Sequence, residues 1–209
     1  ESSSAVGGGN VYRFTAEVTD QTVGQPASQL ISVTVQNVDE APVFTIATPS
    51  DSSNEDPTPA LLSLPGFASG ISAIEPSQTA SLDFVFTPTG TTGDLTFTQA
   101  PDIDPMTGTL TYQATADSNG TATFDVVLTD NGTTDNGGAN QSSPAVSVTI
   151  TVNAVNDAPT FMIAGNQTID EDPIPATVTV PNFLTMESVG PANEASQSII
   201  DRTVNVISG

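Results

Sequence analysis

The chain has 209 residues, and 24 acidic side chains against two basic ones, Arg13 and Arg202, give it a formal net charge of −22. Such a surface excludes nucleic-acid partners and anionic membranes, because binding phosphates requires Lys or Arg to replace condensed counterions. Without cysteine or histidine the chain has no disulfides, thiolate metal sites or zinc chemistry, and a Ser or Thr nucleophile has no His or Lys base. No pair of carboxylates is singled out for glycoside hydrolysis, so we expect a protein that is not an enzyme.

Hydrophobic residues alternate with polar ones along the chain, which is typical of half-buried β-strands rather than of disorder. Gly and Pro interrupt these runs at the spacing of turns in an all-β domain. In chain order, the alternation predicts strands around these apolar residues: Tyr12, Phe14, Ala16 and Val18; Ile31, Val33 and Val35; Leu82, Phe84 and Phe86; Leu95 and Phe97; Leu110, Tyr112 and Ala114; Ala122, Phe124, Val126 and Leu128; Val146, Val148, Ile150 and Val152. Short strands without a helical period predict an all-β fold, with a two-sheet antiparallel sandwich as the best fit and a barrel as the alternative.

An internal repeat divides the chain. Residues 34–44 match residues 151–161 at an offset of 117, and residues 54–57 match residues 170–173 at an offset of 116. Upstream, residues 14–20 match residues 124–130 at an offset of 110. The repeat predicts one complete and two partial β-sandwich domains: the C-terminal strands of one in residues 1–40, a complete one in 41–157, and the N-terminal part of a third in 158–209.

The start of the chain has neither a basic n-region nor an apolar h-region, and no segment reaches 18 apolar residues. We therefore expect no export signal, no anchor and no membrane insertion. The chain is expected to be a section of a larger protein or a mature processed form.

Two junction segments share one pattern: residues 37–44 read NVDEAPVF, and residues 153–161 read NAVNDAPTF. Both segments resemble the DxNDNAPxF linkers of cadherin-type repeats. The sequence GTLTY at residues 108–112 and the turn NGTAT at residues 119–123 are similar to the cadherin-like tandem repeats of giant bacterial surface proteins. The resemblance implies tandem antiparallel Ig-like, cadherin-like β-sandwiches in an extracellular or cell-surface protein.

The resemblance also implies Ca²⁺ at each junction, held by linker carboxylates, the acidic residue before the last hairpin and an acidic residue early in the next domain. The implied ligands are Asp20, Asp39, Glu40, Glu55 and Asp56 at the first junction, and Asp130, Asn156, Asp157, Glu171 and Asp172 at the second. Calcium suits them because it accepts six to eight hard oxygen ligands in irregular geometry. We expect one or two ions at each junction.

Composition independently favours bound cations, since so acidic a chain is destabilised by self-repulsion without counterions. Four other acidic residues are expected to lie in solvated turns or at strand ends, namely Asp102, Asp104, Asp117 and Asp135. Among them, Asp117 lies in ADSN at residues 116–119, where the resemblance leads us to expect an LDRE-type motif.

These features predict a structural or adhesive repeat module, stiffened by calcium, that extends or forms a surface fibre. Its expected partners are neighbouring repeats or copies of itself, which could polymerise head-to-tail if residues 1–38 of one copy complement the strands of residues 158–209 in another. The alternative is an adhesin module that binds a glycan or a surface protein through its loops, chiefly residues 131–143.

Overall fold

The computed structural model describes residues 10–21, 26–36, 38–74, 81–132, 142–169, 171, 177–205 and 207. Within these ranges the chain is all-β, as predicted, and each predicted apolar run lies in a strand or directly before one. The strands are β1 (Asn10–Val18), β2 (Ala27–Val35), β3 (Val43–Thr45), β4 (Ser50–Asn54), β5 (Leu62–Leu64), β6 (Ser69–Ser72), β7 (Asp83–Gly93), β8 (Phe97–Asp104), β9 (Thr109–Ala114), β10 (Gly120–Thr129), β11 (Val146–Asn153), β12 (Thr160–Ile163) and β13 (Leu184–Ser188). No helix in the described residues is long and apolar enough to cross a lipid bilayer.

Residues 43–153 form three sheets. One has four strands in the order β4-β11-β10-β7, another has three in the order β5-β9-β8, and β3 pairs with β6. All of these pairs are antiparallel except one, because β4 runs parallel to β11. The expectation of purely antiparallel sheets is therefore wrong at this edge.

One hydrophobic core joins the three sheets. The ring of Phe97 in β8 lies 6.0 Å from that of Tyr112 in β9 and 6.1 Å from that of Phe124 in β10. Phe44 of β3 packs edge-on against Phe84 of β7 at 5.1 Å. The alternating side chains of β10 and β11 that the sequence placed on one face are buried here, including Val126, Leu128, Val148, Ile150 and Val152.

The remaining strands lie outside this core. In the hairpin β1–β2, Tyr12 pairs with Val33 and Phe14 with Ile31, which puts their side chains on one face. That apolar face is exposed, as is Phe161 in the β12–β13 pair. Equivalent positions of the repeat therefore differ in burial, because Phe14 is 56% exposed while its counterpart Phe124 is 6% exposed.

Tyr112 links two sheets through its hydroxyl group. Its side chain is fully buried in the core, and the hydroxyl donates a 2.5 Å hydrogen bond to Asp51 Oδ2 of β4. Burial raises the pKa of Tyr112, and the bond to Asp51 raises it further. This contact fixes β4 against β9, and β4 leads directly into the acidic residues described below.

Replacing Phe124 by Ala should lower the free energy of unfolding by about 3–5 kcal/mol, because a buried ring leaves a cavity in a close-packed core. The matched control is Phe14→Ala, at the equivalent position of the repeat, which should change it by less than about 0.5 kcal/mol in dilute solution. Urea titration of both variants measures the difference. Equal losses would place the two rings in equivalent environments and contradict the fold.

Replacing Tyr112 by Phe should cost about 1.5–3 kcal/mol, the usual value for a hydrogen bond to a charged group. The same change should also remove an alkaline loss of stability. Because the folded pKa of Tyr112 is raised, the folded state keeps a proton that the unfolded chain releases above its ordinary pKa of about 10, so stability falls as pH rises through that range. Urea titration at neutral and alkaline pH tests both effects, and Tyr12→Phe makes the same change at an exposed tyrosine as the matched control.

Candidate metal centre

The parallel pairing of β4 with β11 brings two acidic segments of the site to the same end of the sheet. Parallel strands run in the same direction, so the residues that follow each strand emerge at the same end of the sheet. After β4 come Glu55 and Asp56, and after β11 comes the linker that leads to Asp157. The two segments are tied together where they leave the sheet, because the Glu55 amide donates to the Asn153 carbonyl oxygen at 2.9 Å.

A third segment reaches the same place from the turn between β9 and β10. The turn is held by Ser118, whose hydroxyl donates to the Thr115 carbonyl oxygen at 2.8 Å. It closes onto β7 at the pair Gly93 and Gly120, both of which have positive φ. A Cβ atom on Gly93 would overlap the backbone of Asn119, and one on Gly120 would overlap the backbone of Thr92. The turn therefore presents Asp117 in a fixed position.

Asp56, Asp117 and Asp157 form an acidic triad. Each offers a carboxylate oxygen within 4.8 Å of those of the other two, and the Asp117 amide donates to Asp56 Oδ1 at 3.3 Å. Asp56 and Asp117 both have φ in the left-handed region, at 50° and 58°, which Asp tolerates better than most residues. The triad thus joins three chain segments in one acidic group.

The electrostatics of the triad disfavour three free carboxylates. Desolvation raises the pKa of Asp117, and the negative charges of Asp56 and Asp157 raise it further. No basic side chain belongs to the group, since the only two in the chain are Arg13 and Arg202. A divalent cation is the counter-charge that would relieve this repulsion.

Glu55 lies beside the triad and ties the linker to the segment that follows it. It is only 3% exposed, its Oε1 accepts a 2.6 Å bond from the Val155 amide, and Asn193 Nδ2 donates to both of its oxygens at 3.2 and 3.0 Å. Its charge is therefore well supplied with donors. Asn193 belongs to a 3-10 turn, Ala192–Glu194, in the region after the second junction.

Glu194 brings another buried carboxylate to Asp157. It is 5% exposed, and its Oε1 accepts a 2.7 Å bond from the Asp157 amide. Three buried oxygens here have no hydrogen-bond partner among the described residues: Asp157 Oδ2, Asn193 Oδ1 and Glu194 Oε2. Buried oxygens of this kind are costly unless something pairs with them, and the positive charge of a metal ion would do so.

A second acidic pair lies at the opposite end of β10. Asp130 Oδ1 accepts a bond from the Gly132 amide at 3.0 Å, and its Oδ2 is buried without a hydrogen-bond partner in the described part of the chain. Asp39 is buried against Gly132, where an added Cβ would overlap its carboxylate. Gly132, shortly after the end of β10, therefore lies against Asp39 of the first junction.

The grouping of ligands by junction must be corrected. Glu55 and Asp56 were expected with Asp39 at the first junction, but they lie with Asp157 at the second. Asp130 was expected at the second junction, but it is bonded to Gly132, which lies against Asp39 of the first junction. The physical reason is strand direction, because β4 and β10 each carry the chain from one end of the sheet to the other.

The other predicted ligands join no group of three acidic side chains in the described ranges. Asp20, Glu40 and Glu171 are exposed, and exposed Asn156 donates from Nδ2 to the Asp157 carbonyl oxygen at 2.8 Å. Two predictions fall outside the described residues: the ligand role of Asp172 and the turn role of Asp135. Most of the loop expected to bind a glycan or protein, residues 133–141, lies outside them as well.

Three residues of the site were missed from the sequence. Asp117 was expected to be a solvated turn residue, although its position in place of the LDRE-type motif was a usable signal. Asn193 and Glu194 had no such signal, because the sequence PANE around them matches nothing in the complete unit at the repeat offsets. By contrast, Asp104 does shape its turn, accepting bonds from the Met106 amide and the Thr107 hydroxyl, which lower its pKa.

Comparisons with known protein families and with curated proteins identify no relative of this chain, so its function has to be argued from the chemistry of the site. No model of a known protein family matches the chain. No curated protein matches it either.

Replacing Asp117 by Asn should raise the melting temperature in a chelator, because it removes one of three mutually repelling charges. The same substitution should also make the melting temperature depend less on pH. The raised pKa of Asp117 means that the folded state holds a proton more tightly than the unfolded chain, so stability without metal should increase as pH falls through the carboxylate range. Melting curves in chelator between neutral and acidic pH check both effects.

The matched control for that variant is Asp102→Asn, which makes the same change in net charge at an exposed position of β8. It should leave both the melting temperature and its pH dependence close to those of the unaltered chain. If the two variants behaved alike, overall charge rather than the triad would explain the result.

Proposed function

We propose that this chain is a non-enzymatic, extracellular structural repeat module whose units are Ig-like, cadherin-like β-sandwiches, and that calcium makes its second junction rigid. The observation that carries the proposal is the acidic triad together with three buried oxygens that lack partners beside it. Asp157 belongs to both sets. Such an arrangement costs free energy in the absence of a cation and supplies ligands in its presence.

The origin of the ligands supports a role in rigidity. Asp56 and Asp117 belong to the complete unit, Asp157 to the linker, and Asn193 and Glu194 to the region after it. An ion that draws oxygens from all three regions would hold them at one angle. The expected effect is therefore a stiff connection between successive units rather than a chemical reaction.

The donor set favours calcium over other metals. All candidate ligands are oxygens of carboxylates or an amide, which suit hard cations, and the chain has no His or Cys for softer metals. Magnesium requires near-ideal octahedral geometry, whereas calcium accepts six to eight oxygens in irregular arrangements. Ligands gathered from turns and a linker suit the more tolerant ion.

The accessibility of the site supports an extracellular location. Asp56 is exposed, and exposed ligands keep competing water within reach, which favours modest affinity. Calcium sites of extracellular modules work with dissociation constants of about 10⁻⁴–10⁻³ M. A weak site of this kind would fill only where calcium is abundant.

The sheet arrangement supports the choice of fold family. Side chains of the four-stranded sheet and of the three-stranded sheet meet in one core, as in a sandwich of two layers. The edge strand β4 runs parallel to β11, the last strand of the unit. The C-terminal ends of both strands therefore lie at the same end of the sheet, where the chain leads into the junction. This geometry brings the repeated linker and the acidic residues after β4 together in the complete unit.

Calcium at about 100 times its dissociation constant should stabilise the protein by about 2.7 kcal/mol through ligand linkage. Asp157→Ala should abolish that gain in melting temperature while the core of residues 43–153 stays folded, because the strands do not use this carboxylate in packing. Calorimetric titration and melting curves with calcium or with chelator measure the gain, and X-ray scattering should show a more flexible chain after chelation.

Asp102→Ala serves as the control, since it removes a carboxylate of the same unit away from the junction. Its response to calcium should match that of the unaltered chain. Identical melting curves and scattering profiles in calcium and chelator would overturn the calcium proposal, and unfolding of the whole unit by Asp157→Ala would overturn the linker role.

A further inference from the structure

Glu55 is the buried carboxylate beside the triad whose oxygens already accept hydrogen bonds. Its Oε1 accepts from the Val155 amide at 2.6 Å and from Asn193 Nδ2 at 3.2 Å, and its Oε2 accepts from the same nitrogen at 3.0 Å. A carboxylate has about four lone-pair positions, so these three bonds leave little capacity for an ion. Glu55 is therefore a poor candidate for the calcium ligand that the cadherin resemblance implies.

The side-chain amide of Asn193 faces in two directions. An ionised carboxylate only accepts hydrogen bonds, so the amide must present its NH2 group to Glu55. The amide oxygen of Asn193 then points in a different direction, and it is buried and accepts no hydrogen bond within the described ranges. One side chain thus donates to Glu55 and offers a neutral oxygen on its other side.

Glu194, the next residue, is held by the same 3-10 turn. Its Oε1 accepts from the Asp157 amide at 2.7 Å, and its carbonyl oxygen accepts from the Gln197 amide at 2.8 Å. The preceding backbone makes room for this carboxylate, because a Cβ atom on Gly190, whose φ is 151°, would overlap Glu194 Oε2. That oxygen is buried and has no hydrogen-bond partner in the part of the chain that the structure describes.

We propose that the hydrogen bonds between Glu55 and Asn193 form a latch, which docks the turn onto the linker without a metal ion and directs Asn193 Oδ1 and Glu194 Oε2 towards the calcium site. Asn193 is a positioning residue in this arrangement, and Glu55 acts through it rather than as a ligand. The latch itself does not depend on calcium, whereas its effect on calcium affinity rests on the function proposed above. Hydrogen bonds alone allow the latch to open, and the ion would keep it closed.

A latch and a repelling ligand respond in opposite ways to the loss of a charge. A carboxylate of the repelling triad destabilises the metal-free protein, so its neutralisation should stabilise that state, as expected for Asp117→Asn. Glu55 is 3% exposed and well supplied with donors, so its neutralisation removes hydrogen bonds to a charged group and leaves a buried donor unpaired. Glu55→Gln should therefore lower the melting temperature in chelator, where Asp117→Asn should raise it.

Melting curves and amide hydrogen exchange in chelator test the latch on the chain of residues 1–209. In Glu55→Gln, Oε1 can still accept from the Val155 amide, but the new NH2 group faces that of Asn193. We expect the exchange protection of the Asp157 amide to fall by about 10–100-fold, the factor that corresponds to a lost hydrogen bond to a charged group. Asn193→Asp should have the same effect, because it sets two carboxylates against each other.

The double variant Glu55→Gln with Asn193→Asp exchanges the donor and the acceptor. The pair can then form again, so most of the protection and of the melting temperature should return. The matched controls are Glu40→Gln and Asn166→Asp, which make the same changes in charge at exposed positions and should leave both quantities unchanged.

Calcium titration measures the positioning effect. Residues that orient metal ligands typically contribute 10–100-fold to metal affinity, so Glu55→Gln should weaken calcium binding by about that factor. The double variant should recover the affinity, because the second carboxylate oxygen introduced by Asn193→Asp can replace the amide oxygen.

The latch would be overturned if Glu55→Gln raised the melting temperature in chelator or left it unchanged, or if the double variant showed no recovery. Either result would leave the calcium proposal standing, because the titration of the unaltered chain decides it. If the unaltered chain did not respond to calcium, the calcium proposal would fail, while the measurements in chelator would still decide the latch.

Discussion

The parallel pairing of β4 with β11 is the constraint on which the rest of the site depends. It joins strands whose paired residues are 99 positions apart in sequence, and it places Glu55 and Asp56 beside the linker that follows Asn153. Tyr112 secures β4 from the opposite sheet through its bond to Asp51. Without this edge pairing, the second junction would keep Asp157 and Asp117 but would lose the carboxylate that completes the triad.

The pairing of β4 with β11 gathers negative charges at the second junction, and their repulsion costs free energy in the absence of a cation. The chain has 24 acidic residues and two arginines, and one arginine, Arg202, is already paired with Glu187, which lowers the pKa of that glutamate. Internal ion pairs therefore cannot neutralise the junction. The charge of Glu55 is compensated by hydrogen bonds from the Val155 amide and the Asn193 side chain. Asp157 and Glu194 each have a buried oxygen that accepts no hydrogen bond in the described structure. Hydrogen-bond donors compensate the charge of Glu55, whereas a metal ion is the compensation that we propose for the oxygens of Asp157 and Glu194.

The sequence predicted seven of the thirteen described strands, because alternation is a local signal that β10 and β11 follow residue by residue. It did not predict the short strands, among them β4, which has the polar sequence SDSSN and no apolar alternation. It singled out Asp56 and Asp157, two members of the acidic triad, because they recur with the repeat. It failed on their grouping, since nearness in sequence puts Glu55 with Asp39 while strand direction puts it beside Val155. Asn193 and Glu194 could not be predicted, because their place depends on how a 3-10 turn packs on the linker and no periodic pattern encodes that.

Strand pairing and cation binding are thermodynamically linked in such a design. In the complete unit, the residue after β4 is the one that accepts the linker amide, so pairing of β4 and formation of the ion site restrict the same backbone. The cation that we propose for Asp56 and Asp157 would therefore also stabilise the pairing of β4 with β11. Coupling between two equilibria is reciprocal, so whatever strengthens this strand pairing should raise the affinity of the second junction for calcium by the same free energy.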